Sequence, residues 1–450
     1  MATQKKVIIL GFLTLLAFGL RVYRLGTADF KEDEFLTVKA AAYQNFCRQS
    51  PDNCQAKKIA NFIFPLLQNN ETVPNLITQI YLWDFISDRP TAVNFNRAWP
   101  HLLTVAGFYQ IFGLSEFTTR LPGAIAGALL VPVGFLFSQS LLFSFLLTIA
   151  FPLIDLSRNA RMYSLFMVVI LLAIYLWRRL LAAKPAFSWL LLATAIVTVL
   201  AFWLQSLTLV VLIGIYAYSL FKSRSWFWWL SVGLGLVIIV GKYSGADFFH
   251  RYFLGLALPP HWQYLSWWPA AAIIAMLIRR QTYLLAIITV YLTVLIFFTL
   301  PAPGAAYVIA LWPLLLWPLL HWRRWLTFAV SLIVIIQFGL GINYLYFGRD
   351  GRAQIRSAYQ SIINRYQPGD KLYAIQLRDY YLQSLPQGTE VIDLKKTPYP
   401  QFSGSGFVVW EQEKIGYLQA PVLNYIQTNF NHLAGSGLDN FGVEIYSFGK

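Results

Sequence analysis

Apolar runs of about the length of a bilayer-crossing helix recur along this 450-residue chain, and no other feature limits its fold so tightly. A helix needs roughly 20 mainly apolar residues to cross the hydrocarbon core, within a range of about 17 to 25. The first run, KKVIILGFLTLLAFGLRVYR (5–24), begins like a signal sequence, but no small-residue cleavage site follows, so it is expected to stay as a first membrane helix. Further runs lie near 119–137, 138–154, 161–177, 186–204, 206–221, 226–241, 263–278, 282–300, 306–320 and 325–346. With 57% hydrophobic and only 12% charged residues, the chain reads as an α-helical polytopic membrane protein.

Thirty-five Lys and Arg against 20 Asp and Glu give a net charge of +15. The cations sit in short clusters between apolar runs and form no single stripe, which argues against a nucleic-acid surface. Their placement is topological instead. The clusters are Lys5/Lys6, Arg178/Arg179/Lys184, Lys222/Arg224, Arg279/Arg280 and Arg323/Arg324, and from Arg178 onward they occupy every second loop. Lys and Arg in short loops are retained in the cytoplasm. The N-terminus is therefore expected inside, and Gln205, 242–262, 301–307 and everything after 347 outside. Asp155 to Arg161 then also faces out. The segment 98–113 carries His101, Thr104 and Gln110 among about a dozen apolar residues, which suits an interfacial or buried helix. Eleven spans result, in a domain covering 1–346, with a first exported loop at 26–118.

Within that loop, Val73, Leu76, Ile77 and Ile80 mark one apolar face of a helix suited to lie on the membrane. Cys47 and Cys54 could close a small disulfide there or stay as two thiols. Residues 347–450 change character, with turn signals at QPGD (367–370), PQG (386–388) and SGSG (403–406). Ile355, Tyr359, Ile362 and Tyr366 fall on one helix face, and KLYAIQL, TEVIDL, GFVVWE and GVEIYSF read as strands, so a small exported α/β domain is expected.

The stretch ADFKEDEF (28–35) concentrates Asp29, Glu32, Asp33 and Glu34 just after the first apolar run. On the same side stand the basic SRNARMY (157–163) and Arg97 with Trp99 and His101. An Arg guanidinium binds phosphate oxygens bidentately, and a carboxylate can take a proton from an attacking hydroxyl. This combination suits a substrate with both a phosphate and a reacting hydroxyl. Asp29 and Glu32 are expected in solvent. His101, His250 and His261 share no metal-ligand spacing.

RVYRLGTADFKEDEF, FGLSEFTTRLPGAIAGAL (112–129) and DLSRNARMYSL (155–165), in this order, resemble the signatures of the GT-C superfamily of membrane glycosyltransferases. The likeness is to the branch of protein O-mannosyltransferases and bacterial lipid A aminoarabinose transferases. It covers roughly the first 180 residues in motif order and the rest in layout. It implies transfer of a sugar from a polyprenyl-phosphate donor to a lipid, protein or glycan acceptor on the outer face of a bacterial plasma membrane. The family's base falls on Asp33, followed by Glu34. Arg158 and Arg161 are the first candidates for the donor phosphate, then Arg97 and Arg120; Tyr163 could hydrogen-bond the phosphate or stack on the sugar, and Gln205 could hydrogen-bond it. No cofactor is assigned, and a divalent metal is compatible with the reading.

The chain departs from the family at NRAW before Pro100, at Ala306–Tyr307 and at LQSL (204–207). These departures keep open a transporter or flippase, or a non-catalytic binder of lipid-linked sugars. A transporter more often shows mid-span charges and internal repeats. Here the spans are nearly free of charge, and the charges crowd one face.

Overall fold

The computed structural model describes residues 2–27, 29, 30, 34, 37, 38, 41, 98–182, 189–205, 208–222, 283, 284, 287, 288, 312–320, 324–343, 345, 346, 355–375, 379–382, 385, 389–394, 400–411, 419–435 and 443–449. The sequence-predicted spans at 226–241 and 263–278, the amphipathic helix at 73–80, and Cys47 and Cys54 lie outside them. The chain falls into two compact units. One joins Met1–Tyr23 to Gly123–Gly341, and the other joins Arg24–Pro122 to Ile342–Lys450.

In the first unit, helices occupy Ala2–Val22, Leu141–Ile149, Phe151–Ser157, Tyr163–Ala182, Trp189–Leu204, Thr208–Lys222, Trp312–Leu320 and Arg324–Asn343, close to the apolar runs read from the sequence. The helix Glu116–Ser138 belongs to both units by residue number. Among the described residues, Glu116–Ser138, Tyr163–Ala182 and Arg324–Ile342 are long and apolar enough to cross a membrane. Lipid is as apolar as a Leu side chain, so such helices need not hide their greasy faces; Leu129, Leu136, Ile335 and Leu340 are all exposed.

The run expected as one span at 138–154 is broken, into Leu141–Ile149 and Phe151–Ser157. Pro152 explains the break: it has no N–H to give the carbonyl of Thr148 four residues earlier. That carbonyl receives a donor from another helix. Arg21, fully buried, donates Nη1 to the carbonyls of Thr148 (3.2 Å) and Ala17 (3.0 Å), and Nη2 to the carbonyl of Leu147 (3.2 Å). A cation at the C-terminal end of a helix also meets the negative end of its dipole. Gly127 makes room for this, because a Cβ there would lie 2.6 Å from Arg21 Nε and from Ser157 Cβ.

In the second unit, five strands form one sheet in the order β2-β1-β3-β5-β4, with β1 at Lys371–Ala374, β2 at Val391–Asp393, β3 at Gly406–Glu411, β4 at Asn431–Gly435 and β5 at Val443–Phe448. β1 pairs in parallel with β2 and β3, and β5 runs antiparallel to β3 and β4. Alternate residues of a strand point to opposite faces. Leu372, Ala374, Phe407, Val409, Val443 and Ile445 accordingly pack with Ile355, Tyr359 and Ile362 of the helix Ile355–Ile363. Tyr373, Val408, Trp410 and Tyr446 pack instead with Val422 and Ile426 of the helix Ala420–Asn429. Phe30 and Val38, from the far end of the sequence, complete the first of these two cores.

The capping of the broken span has a direct test in the purified full-length protein. Arg21→Leu leaves a buried carbonyl without its donor, a loss on the order of 1–3 kcal/mol, and is expected to lower the Tm in detergent. Adding Pro152→Ala restores an N–H at that position and is expected to recover part of the loss. A double variant no more stable than Arg21→Leu would contradict the cap.

Candidate active site

The acidic stretch is held by the first turns of the helix Glu116–Ser138. Arg120 projects from that helix and is nearly fully buried at 2% exposure. Its Nε donates to Glu34 Oε1 and its Nη2 to Glu34 Oε2, each at 2.8 Å, the fork-on-carboxylate geometry that a guanidinium forms and an ammonium cannot. Nη1 donates to the carbonyl of Leu25 at 3.1 Å, and Nη2 also reaches the carbonyl of Asp29 at 2.9 Å. One guanidinium thus ties together residues 25, 29 and 34. Glu34 is buried along with it, so burial without such pairing would be prohibitive. Asp33, its covalent neighbour, lies outside the described residues, as does Arg97.

Asp29 was expected in solvent, and the structure corrects this: its side chain is 8% exposed. Its Oδ2 accepts the backbone N–H of Arg356 at 2.9 Å, at the start of the helix Ile355–Ile363, where amide groups lack partners within the helix. The Arg356 guanidinium lies 3.4 Å from Asp29 Oδ1 and also donates to Glu116 Oε1. The next residue, Phe30, donates its N–H to the Tyr381 hydroxyl at 2.8 Å, and the Arg356 guanidinium stands over the Tyr381 ring. The Asp29 carboxyl is held above its ordinary value because burial outweighs the lowering effects of the Arg356 N–H and charge. Burial pulls Arg356 the other way, but Glu116 and Asp29 outweigh it and raise its pKa. Nothing in the sequence pattern pointed to Arg356 or Tyr381, since both lie more than 300 residues from the acidic stretch.

Of the predicted phosphate contacts, Arg120 belongs to this second unit, whereas Arg158 and Arg161 fall in the first. Arg158 follows the helix Phe151–Ser157 and is 3% exposed; its Nη1 donates to the carbonyls of Arg21 (3.1 Å) and Tyr23 (2.6 Å), at the end of the first helix. Arg161 lies beyond the turn, half-buried, with its guanidinium over the ring of the buried Tyr163. Gln205 is half-buried in the turn between Trp189–Leu204 and Thr208–Lys222. Gly123 lets the helix Glu116–Ser138 sit against this basic turn: a Cβ there would meet the carbonyl oxygens of Ser157 at 3.0 Å and Asn159 at 3.2 Å. The second and third sequence motifs are therefore packed on one another. Among the described residues, no group of three or more His, Cys, Asp or Glu side chains could hold a metal ion.

No protein-family model matches the chain, and neither does any curated protein sequence. The chain does resemble solved structures over its whole length in fold. They include two of ArnT from Cupriavidus metallidurans. The form bound to undecaprenyl phosphate aligns with a TM-score of 0.55 at 12% identity, and the apo form with 0.55 at 14%; both alignments cover 99% of this chain and 98% of that one.

The raised Asp29 pKa fixes the sign of a pH effect. The protonated carboxyl is favoured in the fold, so its contribution to stability is present below the unfolded value of 3.8 and is lost as pH rises through the higher folded value. Asp29→Asn is therefore expected to be at least as stable as wild type at pH 7, with its advantage shrinking as pH falls into the carboxylate range. A Tm for Asp29→Asn well below wild type at pH 7 would show that the ion pair with Arg356 outweighs burial.

Proposed function

We propose that this protein transfers a sugar from a polyprenyl-phosphate donor to an acceptor hydroxyl at the outer face of a bacterial plasma membrane. In this reading the N-terminus is cytoplasmic and residues 347–450 are exported, as the placement of the basic loops suggests. The observation that carries the reading is the anchored acidic stretch: buried Arg120 holds the carbonyl of Asp29 and the buried carboxylate of Glu34. The full-length likeness of fold to an ArnT structure bound to undecaprenyl phosphate supports the class of donor.

Asp33 takes the proton of the acceptor hydroxyl as its oxygen attacks the anomeric carbon. The bond from that carbon to the phosphate oxygen breaks, the polyprenyl phosphate leaves with the bonding electrons, and the anomeric centre inverts. A phosphate is a competent leaving group, so the protein's tasks are deprotonation, alignment and stabilisation of the departing charge. Arg161 and Tyr163 are assigned to the donor phosphate, with Arg97 and Gln205 as further contacts to the donor. Arg120 and Arg158, which donate to protein acceptors, and Glu34, which accepts from Arg120, are assigned to holding the backbone.

The test is an in vitro assay with polyprenyl-phosphate sugars. A positioned general base contributes about 10²- to 10⁴-fold, so Asp33→Asn is expected to lower transfer by that factor while donor binding is retained. Equal rates for wild type and Asp33→Asn would remove Asp33 from the role of base.

A further inference from the structure

Arg21 and Arg158 of the first unit give their donors to helix carbonyls. Arg178 and Arg179, in the last two turns of the helix Tyr163–Ala182, behave differently. Both are exposed, and each is held by an aromatic ring. The Arg178 guanidinium stands over the Trp317 ring, 5.9 Å from its centre, and donates to no acceptor among the described residues. The Arg179 guanidinium stands 5.8 Å from the centre of the Tyr175 ring and gives one N–H to that hydroxyl at 3.1 Å. A guanidinium carries five N–H donors, so most donors of this pair have no acceptor in the protein. Among the described residues neither cation pairs with a carboxylate. Composition explains why: from Gly123 to Gly341 the acids are Asp155, which precedes the opposite end of this helix, and Asp247, outside the described residues.

The 20 residues of this helix, at about 1.5 Å each, span about 30 Å, the thickness of the hydrocarbon core. Its last turns therefore stand at one face of the bilayer. Two exposed tryptophans share that end. Trp189 opens the next helix, which packs alongside through a bond from Trp177 Nε1 to the Thr198 hydroxyl at 2.9 Å, and is 86% exposed. Trp317 lies in the last turn of Trp312–Leu320, and the Leu320 carbonyl accepts the Thr327 hydroxyl at 2.7 Å. Thr327 is in the first turn of the helix that opens with the exposed Arg324 and with Trp325, 66% exposed. Large rings left this open suit the boundary between headgroups and acyl chains, where Trp is enriched.

We propose that Arg178 and Arg179 form a binding site for the phosphate of an anionic phospholipid headgroup, at the end of the helix opposite Arg158 and Arg161. The site is independent of the transfer reaction. Guanidinium donors match phosphate oxygens, and the rings of Trp317 and Tyr175 hold the cations ready for them. The exposed Trp189 and Trp325 favour a lipid over a free phosphate ion, because acyl chains can cover them and an inorganic ion cannot.

The experiment is native mass spectrometry of the full-length protein in detergent, titrated with dioleoyl phosphatidylglycerol or dioleoyl phosphatidylcholine, with inorganic phosphate as competitor. Wild type is expected to bind phosphatidylglycerol more tightly than phosphatidylcholine. A basic residue at a membrane surface contributes about fivefold in affinity, so Arg178→Gln and Arg179→Gln are expected to weaken phosphatidylglycerol binding about 5-fold each and about 25-fold together. Phosphatidylcholine binding is expected to be unchanged. Lys5→Gln with Lys6→Gln removes the same charge from another basic cluster and is expected to leave phosphatidylglycerol binding at the wild-type value. An equal loss in that control, wild-type affinity in the Arg178/Arg179 pair, or equal affinity of wild type for both lipids would overturn the proposal. Displacement of the lipid by equimolar inorganic phosphate would do the same. Should the glutamine pair fail to fold, Arg178→Lys with Arg179→Lys replaces it: an ammonium keeps the charge without the fork, so a several-fold loss is expected and wild-type affinity would overturn the site.

Discussion

Everything placed around the acidic stretch depends on one buried ion pair, Arg120 with Glu34. Removing a carboxylate and a guanidinium from water costs several kcal/mol each, which Coulomb attraction offsets only when the geometry is good and the remaining donors are satisfied. Here both carboxylate oxygens meet the guanidinium at 2.8 Å, and the other donors reach the carbonyls of Leu25 and Asp29. The pair therefore fixes a direction for the chain as it leaves the first helix. Phe30 can then enter the sheet core, and Asp29 can meet the start of a helix more than 300 residues away.

The same physics governs the arginines of the other unit. In a chain with so few charges, a guanidinium away from water finds its partners among carbonyls that helices leave over at their C-terminal ends. Arg21 satisfies the break made by Pro152, and Arg158 the end of the first helix. Glycines at 123 and 127 let the backbones approach closely enough for these bonds to form. Cations that look like ligands for a phosphate in the sequence can thus serve the backbone instead, as Arg158 does.

Much of the fold was legible in the sequence because its signals are periodic. Apolar runs near 5–24, 161–177, 186–204 and 325–346 became helices at Ala2–Val22, Tyr163–Ala182, Trp189–Leu204 and Arg324–Asn343, and alternating residues such as GFVVWE became β3. The helix Ala420–Asn429 and strand β4 escaped because their segments, APVLNYIQTN and NHLAG, carry weak amphipathic patterns. The break at Pro152 was hidden within an unbroken apolar run. The loop carboxylates were visible as a cluster, but their partners were not, since no local pattern joins Asp29 to Arg356 or Glu34 to Arg120. Asp29 was misjudged for that reason: an acid in a polar loop reads as solvated until the residue that encloses it is known.

The central claim is that Arg120 and Glu34 act as a unit, and a double-mutant cycle on equilibrium unfolding in detergent tests it most directly. Arg120→Met and Glu34→Leu, each leaving one buried charge alone, are expected to cost about 3–5 kcal/mol apiece. The double variant is expected to cost less than the sum of the two by about 2–3 kcal/mol, the range for groups in direct contact. Losses that simply add would contradict the pairing, and with it the account of how the acidic loop is held.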